Sequence, residues 1–205
     1  MFEREDRLRD VCLAITALLT VAGTVGTGFS PYLLVEMPLV LIALSADMRH
    51  LVLVAANTDF GPVLALGVPR RALGLATMYG LGLHYGPTML GMLEEKAPRL
   101  GGVLAWCERL LARRGALILV VAPAYTFGAL AGIARVRPRW FFPAMFAGQT
   151  LYIAVGYFFG EQLRAFTVPL LGFLKEHLVP STVACVVLVA AIQVASRLRT
   201  AKNEG

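Results

Sequence analysis

Apolar runs of about a bilayer's thickness in helix alternate with short charged clusters along the whole 205-residue chain. Runs at 11–29, 72–93, 140–160 and 168–196 each read as a helix long enough, at 1.5 Å per residue, to cross a hydrocarbon core of about 30 Å. Two further runs do not read as unbroken helices. The first, 31–68, contains Pro31 and Pro38, a polar break ADMRH at 46–50, and then Asn57, Asp59 and Pro62. The second, 116–134, contains Pro123 and the pair Gly128 and Gly132. Each is expected to enter the membrane and turn back, which backbone tolerates only where protein or a water-filled cavity covers it. GVPRR at 67–71 reads as a turn. The stretch 94–114 has apolar residues at helical spacing and is expected to lie along the cytoplasmic interface, anchored by Trp106.

Composition places the chain in the membrane class: 58% of residues are hydrophobic and 16% charged. The net charge of +6 does not point to nucleic acid, because the basic residues sit in clusters between apolar runs. Lys and Arg number three before the first run, five in 94–114, three in 135–139 and three in the tail RLRTAKNEG. All four clusters are cytoplasmic at once if 31–68 enters and leaves from outside and 116–134 enters and leaves from inside. Arg49, Arg70 and Arg71 run against that count. The start MFEREDRLRD carries both signs of charge, so 11–29 reads as a retained helix and not a cleaved signal.

The expected fold class is therefore an all-α polytopic membrane protein forming a single membrane domain over 1–205. A hairpin and helix at 31–93 recur at 116–160 as an inverted repeat, with additional helices at 11–29 and 168–196. Transporters built this way place their site near the midplane, where broken helices meet. A six-segment bundle with kinked helices is the plainer alternative.

Ionisable residues are costly in a bilayer and mark candidate sites. Glu36 stands just before Pro38 in PYLLVEMPLVLIAL, where a buried carboxylate can carry a proton or face a headgroup; snorkelling to the outer interface is the plainer role. Asp47, Arg49 and His50 cluster at the expected tip of the first hairpin, and His50 titrates near neutral pH when unperturbed. Asp59 follows on the return arm, where it is expected to pair with Arg49. Tyr125 and Thr126 sit at the expected tip of the second hairpin, offering hydroxyls to a headgroup or to backbone freed by Pro123. Arg135, Arg137 and Arg139 are expected to anchor the cytoplasmic surface to anionic lipid, at roughly 1 kcal/mol each. Cys12, Cys107 and Cys185 lie far apart, without zinc or disulfide spacing. No hydrolase, metalloprotease, P-loop or dinucleotide motif is present, so the chain reads as a non-enzyme needing no cofactor or metal.

Three stretches carry a family resemblance: TMYGLGLHYGP at 77–87, the run from ERLLARRGALILVVAP at 108–123 to ALAGIARVRPRWF at 129–141, and FFPAMFAGQTLYIAVGYFFGE at 141–161. In order and spacing they resemble the DedA/VTT, or SNARE-associated Golgi protein, family. The resemblance implies paired re-entrant hairpins and translocation or scrambling of a lipid, with an anionic headgroup in bacterial members and often with proton coupling. It implies membrane lipids as partners and a bacterial plasma membrane, to which the basic clusters add cytoplasmic termini and no nucleic acid; a homo-oligomer stays open. The chain also departs from the family pattern. Ala122 precedes Pro123 and Thr126 follows it where members usually carry arginines, and Gly74-Leu75 stands in place of a usual Gly-Asp. Those departures favour a second reading, a non-transporting membrane scaffold or partner-binding member.

Overall fold

A computed structural model describes residues 2–96 and 117–204. Among these residues every regular element is helical. The elements are α1 (Phe2–Gly28), α2 (Ser30–Glu36), α3 (Pro38–Leu44), α4 (Met48–Val54), α5 (Phe60–Lys96), a helical run over 117–121 (α6), α7 (Tyr125–Ile133), α8 (Pro138–Gln162), α9 (Arg164–Glu176) and α10 (Leu178–Glu204). Among the described residues three helices are long and apolar enough to cross a membrane, as an integral membrane protein requires: Arg7–Gly28, Pro138–Gln162 and Leu178–Ser196. Their 22, 25 and 19 residues amount to about 33, 38 and 28 Å of helix. Leu18, Val21, Val187, Leu188 and Ile192 all point outward from α1 and α10, as lipid-facing side chains do. Residues 97–114 of the expected amphipathic segment lie outside the described residues.

Two expectations about element boundaries fail. GVPRR at 67–71 is not a turn, because α5 runs unbroken through Pro69 for 37 residues. Pro removes one helical hydrogen bond, yet Arg71, Ala72, Leu75 and Tyr79 present one buried face across that point, and their packing outweighs the local cost. The expected helix at 168–196 is two helices, α9 and α10, separated at His177. There the backbone leaves helical geometry (φ −115°, ψ 37°), and the His177 ring stacks on Phe173 at 4.6 Å.

Where the sequence suggests one membrane domain, contacts gather the chain into two compact units: Met1–Leu19 with Val68–Ile153, and Thr20–Gly67 with Ala154–Gly205. The first has a core of Leu75, Tyr79, Leu119, Ala131, Phe141 and Met145. The backbones of α5 and α7 approach closely, and a Cβ on Gly82 would run into the carbonyl of Ala129. The Tyr79 ring stacks on Phe141 at 4.1 Å, and its hydroxyl donates to the Val136 carbonyl beyond the end of α7 at 2.6 Å.

In the second unit α10 packs on α2, and α3 on α4. Pro38 forces the residue before it out of helical geometry, and Met37 (φ −141°, ψ 63°) duly separates α2 from α3. The second half of α8 lies against α4, where a Cβ on Gly160 would run into the Val52 carbonyl. Tyr157 donates to the Thr58 carbonyl beyond the end of α4 at 2.7 Å. Each unit thus contains a helix, a break, a short second helix, and a Tyr-x-x-Gly stretch on which that short helix rests.

Candidate functional site

The two helix breaks are where polar side chains collect. In the first unit α6 stops at Val121, residues 122–124 are non-helical, and α7 begins after Ala124 in extended geometry (φ −86°, ψ 149°). A proline has no N–H to give, so the carbonyls around this break need donors from elsewhere. The Pro123 carbonyl finds two: Gln149 Nε2 at 3.1 Å and Arg71 Nη2 at 3.3 Å. Arg71 Nε also donates to Gln149 Oε1 at 2.6 Å, which closes a triangle of guanidinium, amide and carbonyl. Arg71 is only 4% exposed and Gln149 fully buried.

Aromatic faces complete the enclosure. The Arg71 guanidinium lies 3.7 Å from the centroid of Tyr152 and 5.3 Å from that of Tyr125. Taking a cation from water costs several kcal/mol. Charge-assisted hydrogen bonds of about 1.5–3 kcal/mol each and desolvated cation–π contacts of about 2 kcal/mol offset that cost. Tyr125 comes this close because Gly74 leaves room: a Cβ there would sit 2.7 Å from Tyr125 Cε1.

The break in the second unit has the same length. Residues 45–47 are non-helical between α3 and α4, and Asp47 (φ −79°, ψ 155°) has nearly the backbone geometry of Ala124. Here the polar groups are local. Ser45 Oγ donates to Asp47 Oδ2 at 3.0 Å, and the His50 Nδ1–H donates to the Ser45 carbonyl at 2.9 Å. Arg49 Nη2 lies 3.6 Å from Asp47 Oδ2 and donates to Thr27 Oγ1 at 2.9 Å. His50 is buried while Asp47 and Arg49 reach the surface, so the break runs from an enclosed imidazole to an exposed ion pair.

The residues singled out in the sequence distribute as follows. Asp47, Arg49 and His50 come together in the second unit. Asp59 does not join them: it is exposed just ahead of α5, and Arg49 takes the carboxylate two residues away instead. Glu36 is exposed in the last turn of α2, beside the Met37 break. Tyr125 belongs to the Arg71 cluster of the first unit, whereas Thr126 beside it is exposed. Arg135, Arg137 and Arg139 are exposed between α7 and the first turn of α8, with Arg139 over the Trp140 ring at 5.9 Å. Arg135 adopts left-handed geometry, with φ 48°. Among the described residues no group of three or more His, Cys, Asp or Glu is placed to hold a metal ion.

Sequence reasoning missed Arg71 and Gln149, reading the first as part of a loop and passing over the second. A usable signal was present. Arg71, Leu75 and Tyr79 recur every four residues along one face, and Gln149, Ile153 and Tyr157 repeat that spacing. No family model, curated protein or solved structure matches the chain.

Proposed function

We propose that this chain is an integral membrane protein of DedA/VTT type that translocates or scrambles a lipid with an anionic headgroup between bilayer leaflets. The observation that carries this reading is the pair of three-residue helix breaks, each lined by charged and polar side chains, beside long helices with exposed apolar faces. Broken helices of this kind are how transporters present polar groups at membrane depth. In this reading the two hairpin and helix repeats insert with opposite orientation, and the headgroup passes polar groups at the breaks while its tails stay in lipid. Asp47, Arg49 and His50 serve one break, and Tyr125 and Thr126 the other. Glu36 and Asp59 supply carboxylates for proton coupling. Arg135, Arg137 and Arg139 hold the cytoplasmic face to anionic lipid, with both termini on that side of a bacterial inner membrane. The guanidinium absent at 122 and 126 is supplied at the same break by Arg71.

The test is lipid scrambling in liposomes with Glu36→Gln and Arg49→Ala. Slower scrambling in either variant supports the reading, and unchanged rates in both count against it.

A second reading, a membrane scaffold that no longer transports, is favoured by a different observation. Arg71 spends two of its donors on Gln149 and the Pro123 carbonyl, a use that stabilises the hairpin without any ligand. Under that reading deletion changes a partner's abundance and leaves lipid distribution as it was.

A further inference from the structure

We infer that Arg71 and Gln149 act as one latch on the second hairpin, a positioning pair whose members are interchangeable between their two helices. Three observations lead there. Both side chains converge on a single acceptor, the Pro123 carbonyl, and bond to each other. That carbonyl sits in the non-helical link between α6 and α7, so the pair holds the break itself. The two residues also occupy equivalent places. Arg71 stands eight residues before Tyr79 on α5, and Gln149 eight before Tyr157 on α8. Each of those tyrosines donates its hydroxyl to a carbonyl just beyond a short helix, and Gly82 and Gly160 follow them at the same interval. Position 71 and position 149 therefore share one offset from a Tyr-x-x-Gly stretch while both reach the same break, one holding a fork of N–H donors and the other an amide.

The chemistry explains why one of each is needed. The Pro123 carbonyl requires donors, and the guanidinium has no acceptor with which to receive one. Gln149 does both: its Nε2 donates to Pro123 while its Oε1 receives Arg71 Nε. Two arginines would repel each other and leave no acceptor between them; two glutamines would lose the charge held between the Tyr152 and Tyr125 faces. Exchange of the residues preserves one fork, one amide and one shared carbonyl. The latch is a positioning device for Tyr125 and Thr126, and so rests on the proposed transport reading only in its effect on lipid.

Amide hydrogen exchange of the full-length chain in nanodiscs, with lipid scrambling by the same five proteins, tests it. Arg71→Gln and Gln149→Arg alone are expected to speed exchange over 122–133 by about tenfold or more, the worth of a hydrogen bond to a charged group. Exchange over 48–54, in the other hairpin, stays as in the parent. The double variant Arg71→Gln/Gln149→Arg is expected to bring 122–133 back toward the parental rate, with scrambling recovering in step. The latch is overturned if the double variant exchanges as fast as the worse single one, or if either single variant exchanges as slowly as the parent. Arg71→Lys keeps the charge without the fork and is expected to fall between parent and Arg71→Gln; parental exchange in it would also overturn the latch. The exchange result stands even if no protein in the set moves lipid, which separates failure of the latch from failure of the transport reading.

Discussion

Arg71 Nε donates to Gln149 Oε1 at 2.6 Å, and both side chains reach onward to the carbonyl of Pro123. These residues are 78 and 52 positions from Arg71 in sequence, so a single side chain ties α5 and α8 to the break between α6 and α7. Removing it strands a buried amide oxygen and removes one of two donors to a buried carbonyl.

Arg71→Ala is accordingly expected to destabilise the protein by about 3 kcal/mol or more, the range for breaking a buried charged interaction from one side. Thermal unfolding in detergent, followed by size-exclusion chromatography, reads it. A midpoint within a degree of the parent would show that the cluster carries no stability.

Tyr79→Phe and Tyr157→Phe remove equivalent hydroxyls while keeping the rings. Each is expected to cost about 1 kcal/mol, and the two costs should agree within a few tenths. The Tyr79 stack on Phe141 and the Phe60 contact with Tyr157 at 5.2 Å survive in both. Unequal losses, measured by denaturant or thermal unfolding, would contradict the equivalence of the two tyrosine positions.

Gly82→Ala and Gly160→Ala place a methyl group against backbone carbonyls that cannot swing aside, and each is expected to cost about 3 kcal/mol or more or to prevent folding. Gly172→Ala is the control. No heavy atom lies within 4 Å of a Cβ there, and the position is inside α9, so a gain of about 0.5–1 kcal/mol is expected.

Arg135→Gly separates strain from function. Relief of a left-handed non-glycine residue is expected to stabilise the detergent-solubilised protein by about 1 kcal/mol. Loss of one cation near the membrane surface is expected to weaken contact with anionic lipid by about the same amount. Native mass spectrometry with retained anionic lipid reads the second effect. Retention equal to the parent's would remove Arg135 from the anchoring set.

Much of the helical pattern was legible in the sequence because it rests on local chemistry. Pro123 lies in the one break and Asp47 in the other, and each break follows from a residue that cannot or need not continue a helix. The continuity of α5 was not legible for the opposite reason. Pro69 and the adjacent arginines look like a turn until Ala72, Leu75 and Tyr79 are seen to share a buried face with Arg71. The separation of α9 from α10 at His177 was announced only by Pro180 in the first turn of α10, a signal easily lost in an apolar run. Among site residues, Asp47, Arg49 and His50 were legible because they are neighbours in the chain. Arg71 and Gln149 were not, since their meeting depends on three helices and on a carbonyl, which no side-chain pattern encodes. Arg49 pairs within its own cluster, with Asp47, and not with Asp59 on the return arm.

The central claim, that the chain moves an anionic lipid between leaflets, is tested most directly by dithionite quenching of a fluorescent phosphatidylglycerol in liposomes containing the purified protein. Quenching that passes the outer-leaflet limit of protein-free liposomes, and slows in Arg49→Ala, is the predicted result. Quenching that stops at that limit with the folded parent protein would contradict it.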